Sequence, residues 1–217
     1  MENELPLINN LPLLHIENYF ASHLGFFVNT DLISDLKKYI LSLPIEGIDS
    51  NCNPLNKKNL KESSFDFFVP KEQIIERTTN FISTALAGLL NELQKEKCSY
   101  QFKFNESWYH IGKTNSTHEP HSHPNCSWCG VYYIDVGDGN SGETIFLNPF
   151  YPNYRDHGTK YLEEEAQVKI NVQNGLLVLF PSHLHHFQSL YVGSKDRIVV
   201  AFNIAVLNSS IHDKRSN

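Results

Sequence analysis

The 217-residue sequence predicts a mainly β fold with flanking helices. Three observations carry that prediction. Two long amphipathic patterns are confined to the first hundred residues, short β-rich runs recur between turn signals from Cys98 to about residue 207, and no segment repeats at a fixed period. Helical segments followed by strand segments, rather than an alternation of the two, give a β-sandwich or short barrel with helices packed on one outer face.

The elements follow in order. Residues 1–29, with Pro6 and Pro12 and no sustained period, read as short strands or irregular chain. Thr30-Asp31 opens a helix in which Leu32, Ile33, Leu36, Tyr39, Ile40 and Leu43 recur every three or four residues, and Pro44 ends it. Residues 44–64, rich in Asn, Lys, Ser and Pro, read as a loop. Pro70 then opens the longest helix, whose apolar stripe from Ile74 to Leu93 is packing surface without chemistry, and Lys95 to Lys97 suit the negative end of its dipole. From Tyr100 onward the chain reads as strands. A single domain is expected, divided into a helical support region (1–99), a β-core (100–207) and a C-terminal tail (208–217).

Composition narrows the function. A formal net charge of -6 offers no general attraction to phosphate backbones or anionic membranes, so neither nucleic acid nor a membrane is the expected partner. The start, Met-Glu-Asn-Glu-Leu-Pro, lacks a basic and apolar leader, and no run is long enough to span a bilayer, so a cytoplasmic location is expected. The four cysteines, Cys52, Cys98, Cys126 and Cys129, then read as reduced thiols. Cys126 and Cys129 have C-x-x-C spacing but precede a strand and have no second pair near them in sequence. They are read as buried or half-buried thiols rather than a metal or redox site.

The histidines carry the chemistry. Of 11 in the chain, eight lie between His110 and His186, a local density that neither core packing nor solvation requires. His121 and His123, one residue apart on an extended segment, share a face and can share an ion, with the distant His186 completing a set. Imidazoles suit iron, zinc, copper or nickel. His118 and Glu119 compete with His123 for the second ligand place, since strand parity also puts Glu119 beside His121. Arg197 opens an apolar strand, which favours an inward guanidinium over a surface cation, and Tyr132 and Tyr133 must face opposite ways. His183 and His185 are expected to be exposed or to stand behind the site.

Several motifs together carry a family resemblance: Tyr109-His-Ile-Gly, His121-x-His123, Val131-Tyr-Tyr-Ile-Asp, Ser141-Gly-Glu-Thr-Ile-Phe, Gly175 to Pro181, His186, and Arg197-Ile-Val-Val-Ala-Phe-Asn. Over roughly residues 100–207 the chain resembles the 2-oxoglutarate- and Fe(II)-dependent oxygenases, closest to prolyl-hydroxylase-like members and a group with an H-x-H-P motif. Ten residues separate His186 from Arg197, as in that family's pattern of distal histidine and co-substrate-binding basic residue. The resemblance implies a double-stranded β-helix, a cupin-like jelly roll with the N-terminal helices on one face. It implies Fe(II) held by His121, His123 and His186, and 2-oxoglutarate bound with help from Arg197, Tyr133 and Tyr109. It also implies dioxygen as co-substrate, and hydroxylation of an amino acid, peptide or other small molecule. His123 stands where the family usually has Asp or Glu, a departure that leaves the ion's full charge to exogenous ligands. Two other readings stay open: a cupin-like metal-dependent dioxygenase or isomerase that uses no 2-oxo acid, since Gly175 to His186 also resembles a cupin motif, and a non-catalytic β-domain that binds a metal or another ligand. Substrate-selecting loops are expected at Asn51 to Ser64 and Asn148 to Glu165, the latter carrying Tyr151, Tyr154, Arg155 and Tyr161. Oligomeric state is not legible in the sequence.

Overall fold

The computed structural model describes residues 22–44, 48–49, 57–94, 98–139, 141–149, 155–156, 159–160 and 166–211. The expectations for residues 1–21, for Cys52, for Lys95 to Lys97 and for most of the two substrate-selecting loops lie outside them. Strand β1 spans Gly25–Val28, and helix α1 spans Ile33–Ser42. Short β2 (Ile48–Asp49) and β3 (Lys57–Glu62) precede helix α2, Gln73–Leu93. The rest is β: β4 (Cys98–His121), β5 (Trp128–Asp135), β6 (Thr144–Leu147), β7 (Arg155–Asp156), β8 (Thr159–Lys160), β9 (Gln167–Lys169), β10 (Leu176–Pro181), β11 (His186–Gln188) and β12 (Arg197–Ile211). All pairings between these strands are antiparallel. The principal curled sheet runs β1-β10-β5-β12-β4-β11-β6-β9, with β3 pairing β4 beside it. This is the mainly β double-stranded β-helix architecture that the sequence led us to expect.

Alternation along the strands sorts the core into two faces. Tyr109, Ile111, Tyr132, Ile134, Leu177, Leu179, Ile198, Val200 and Phe202 point outward and pack with buried Leu36 and Ile40 of α1 and Ile75, Ile82, Leu86 and Leu90 of α2. The buried helix residues recur at three- and four-residue spacing, so each helix lays one stripe on the sheet. At the end of α1, Leu43 is extended (ψ 143°), the conformation that the following Pro44 imposes. The inner face carries Tyr133, Phe146, Leu176, Val178, Phe180 and Val199. Gly175 adopts φ +83° before β10, where an added Cβ would stand 2.7 Å from the Asn29 carbonyl oxygen.

Two boundaries differ from the sequence reading. Residues 57–62, read as loop, form β3 on the edge of β4, with register Leu60↔Gly112 and Glu62↔His110. Only Leu60 and Glu62 of its six residues are buried, so its one-sided burial left too little apolar signal to see. Likewise β12 runs to Ile211, past the expected end of the core at 207, because it stays paired with β4 as far as Cys98. No helix among the described residues is long and apolar enough to cross a membrane.

Candidate metal centre and anion pocket

The inner face holds a group of histidines. His186 on β11 pairs across to His121 at the end of β4 and to Phe146 on β6. His123 lies just past β4, tied through its backbone N–H to the Ser182 carbonyl oxygen (3.1 Å). The ligand atoms of His121, His123 and His186 all fall within 4.8 Å of one another. A cluster of this size can close on a single ion.

Hydrogen bonds assign the tautomers. His121 Nδ1 lies 2.7 Å from the Glu119 carbonyl oxygen, and His186 Nδ1 lies 3.0 Å from the Leu184 carbonyl oxygen. Each Nδ1–H therefore donates to the backbone two residues earlier, which leaves Nε2 with its lone pair inward, the usual arrangement for a metal-ligating imidazole. The Nε2 atoms of His123 and His186 are 3.4 Å apart. Two lone pairs at that distance repel unless a proton or a cation lies between them. Burial, then the neighbouring His121, pushes His123 down to about 4 and His186 down to about 3, and burial also lowers His121. All three rings are therefore neutral near pH 7, the form that binds metal.

A ring stands behind each imidazole. Phe180 backs His186 (centroids 4.7 Å), Trp108 backs His123 (5.8 Å), and His118 stacks on His121 at 4.0 Å with planes 23° apart. Neither rival for the second ligand place joins the three. Register slips between His186↔His121 and Gln188↔His118, so two residues of β4, Glu119 and Pro120, oppose the single Phe187 of β11. That bulge overrides simple parity: it leaves Glu119 exposed and brings His118 to the side of His121.

Deeper in the same cavity, Arg197 opens β12, paired to Gly112 and only 2% exposed. Its guanidinium lies 5.3 Å from the Tyr133 ring centroid and donates to Gln188 Oε1 at 2.9 Å, while its Nε finds no acceptor. No carboxylate forms an ion pair with it among the described residues. Tyr133 is fully buried with its hydroxyl 2.5 Å from Thr144 Oγ1, and burial raises its pKa against the pull of Arg197. Trp108 lines the cavity too, and its buried indole N–H is also without a partner. Among the described residues no Asp or Glu lines this cavity.

The structure thus brings together His121, His123, His186, Arg197 and Tyr133, and does not bring Tyr109. Tyr109 is on the outer face, its ring 5.3 Å from Phe67 in the helix-side core. Its neighbour His110 takes the inward position, with Nε2 2.5 Å from buried Glu62, which Lys57 also bonds. Sequence reasoning passed over His110, Glu62, Thr144 and Gln188. For His110 the signal was available, since the parity that separates Tyr132 from Tyr133 separates Tyr109 from His110 in the same way. His183 and His185 are exposed. Cys126 and Cys129 are free thiols with sulfurs 3.6 Å apart.

Comparison with solved structures gives the class of fold. HygX from Streptomyces hygroscopicus, solved with nickel and 2-oxoglutarate bound, superposes with TM-score 0.55 at 12% identity, over 83% of this chain and 82% of that one. A Pseudomonas putida prolyl-4-hydroxylase gives TM-score 0.55 at 10% identity, over 83% and 91%. SnoN, a non-heme alpha-ketoglutarate-dependent epimerase from nogalamycin biosynthesis, gives 0.57 at 9%, over 88% and 82%. At these identities the likeness is one of fold. Sequence adds a match within the β-core: residues 106–203 match the family described as "Putative 2OG-Fe(II) oxygenase". No curated protein matches the sequence.

Proposed function

We propose that the protein is a non-haem Fe(II)- and 2-oxoglutarate-dependent dioxygenase that hydroxylates an amino acid, a peptide or another small molecule. In this reading residues 1–217 form one domain. His121, His123 and His186 hold the iron, and Arg197 with Tyr133 receives the far carboxylate of 2-oxoglutarate. When bound, the metal supplies activation of dioxygen coupled to oxidative decarboxylation of the 2-oxo acid.

One observation carries the reading. A guanidinium buried to 2% exposure, with an unused Nε and no carboxylate in ion-pair contact among the described residues, shares a cavity with three neutral imidazoles. A buried charge without a counter-ion costs several kcal/mol. A diacid bridging that charge and a metal would supply the missing anion. Gln188 Oε1 now occupies the carboxylate's position on Arg197, held by Nε2 donating to the Ser116 carbonyl oxygen at 3.2 Å. The free space beside the imidazoles is about 40 Å³, and in this reading the diacid enters as Gln188 gives way. Arg197 then makes a charge-assisted contact where it now has a neutral one. Tyr133 O–H, kept protonated by burial, is a second donor to the same carboxylate. The apolar wall of Phe146, Phe180 and Val199 keeps water from the space between. With three neutral ligands, the protein adds no negative charge to the ion, so the co-substrate's carboxylate is held more tightly.

The experiment is succinate release from 2-oxoglutarate with Fe(II), across amino acids and peptides, for the wild type and for His186→Ala. Turnover in the wild type and none in the variant is the expected result. Succinate release unchanged in His186→Ala, or no 2-oxoglutarate consumption under any condition, would remove the oxygenase reading in favour of a domain that uses no 2-oxo acid.

A further inference from the structure

We propose that His118 is a positioning residue: its ring fixes the plane of His121, and thereby the metal, without itself ligating. The inference rests on the reading of His121 as a ligand. Of the three imidazoles, His186 is wedged against Phe180 and Phe146, and His123 lies beside Trp108. His121 has no such carbon ring behind it. A single hydrogen bond from Nδ1–H to the Glu119 carbonyl oxygen sets the direction of its lone pair but leaves the ring free to tilt about that bond. The nearly parallel face of His118, 4.0 Å away, removes that freedom.

His118 is in turn prevented from sliding. Its ring meets His110 edge to face (5.6 Å, 77°), and His110 is pinned by its 2.5 Å hydrogen bond to Glu62, a buried carboxylate that Lys57 also bonds. Glu62 and Lys57 both come from β3, whose register sets Lys57 opposite His118 and Glu62 opposite His110. The edge strand that the sequence concealed thus braces the ligand from outside the sheet's main path. The bulge in β4 is what makes the stack possible, since residues three apart on a regular strand would face opposite ways. A ring contact of this kind changes an equilibrium constant by roughly two- to tenfold, and removing a residue that orients a ligand costs about 10- to 100-fold in metal affinity.

The test is Co(II) titration of the metal-free full-length protein, followed by calorimetry and by the visible absorption of the bound ion. Stacking needs a flat ring and ligation needs a nitrogen, so the two roles separate. His118→Ala should weaken Co(II) binding about tenfold with the metal's spectrum broadened, and His118→Phe should restore the affinity to within about threefold of wild type. His118→Gln, which keeps a polar group but no ring, should bind as weakly as the alanine variant. Should His118→Ala prove unstable, the phenylalanine and glutamine variants alone decide. His118→Phe as weak as His118→Gln would overturn the proposal and make the imidazole nitrogen the essential feature, and unchanged binding in all three would overturn it as well. Wild type and His121→Ala serve as the reference pair: failure of the first to bind, or full binding by the second, would mean that the tri-imidazole reading itself is wrong.

Discussion

The two faces of the curled sheet obey different rules. On the outer face, Leu177, Leu179, Val200 and Phe202 meet Leu36, Ile82 and Leu86 in a core with few polar atoms. On the inner face, within a strand's thickness, stand His110, Ser116, Thr144, His186, Gln188 and Arg197, all buried. Burying polar groups weakens a fold unless each is satisfied, and here two donors, Arg197 Nε and Trp108 Nε1, are not. The outer face is built for stability, and the inner face gives some of it up to keep donors and lone pairs aimed at a cavity.

That contrast can be broken from either side. On the outer face, Leu86→Ala removes a fully buried side chain and should cost about 2–5 kcal/mol in denaturant unfolding while leaving metal affinity unchanged. A loss of metal binding without a loss of stability would show that the faces are not independent. On the inner face, Arg197→Met should leave stability unchanged or improved, since it removes a buried charge with no ion-pair partner among the described residues, yet raise the KM for 2-oxoglutarate by about 100-fold. Equal effects on stability and KM would contradict the division.

Acid sharpens the comparison further. The unfolded chain protonates its histidines near pH 6.5, whereas His123 and His186 in the folded protein resist down to about 4 and about 3. Between those limits the unfolded state binds more protons, so the metal-free protein should lose stability as pH falls from about 6.5 toward 4. Thermal melting across that range checks the sign, and His123→Ala should flatten the slope. The smallest effect distinguishes two tyrosines. Tyr133→Phe should raise the KM for 2-oxoglutarate about fivefold through the lost hydroxyl, and Tyr109→Phe should leave it unchanged because that side chain faces the helices.

The division between the faces also explains what could be seen in the sequence. The helical stripes and the β-rich runs were legible from periodicity, whereas the jelly roll and the grouping of His121, His123 and His186 with Arg197 were expected from residue type together with the family resemblance. Edge strand β3 was hidden, as a strand of Lys and Asn with a single buried apolar side chain, Leu60, has almost no pattern to read. Glu119 looked like a ligand because parity assumes a regular strand, and the bulge between His118 and His121 breaks it. The pairing of His110 with Glu62 joins residues 48 positions apart through β3, so no local spacing announces it. Gln188 and Thr144 were passed over for a different reason: as neutral side chains their importance depends on the guanidinium and phenol they happen to meet.

The most direct test of the central claim is calorimetric titration of 2-oxoglutarate into the protein with and without Mn(II) in place of iron, under anaerobic conditions. A diacid held at one end by the metal and at the other by Arg197 should bind at least about tenfold more tightly when the metal is present, with that gain abolished in His186→Ala. Equal affinity with and without Mn(II) would contradict the account, since the three imidazoles and the guanidinium would then not be acting on one ligand.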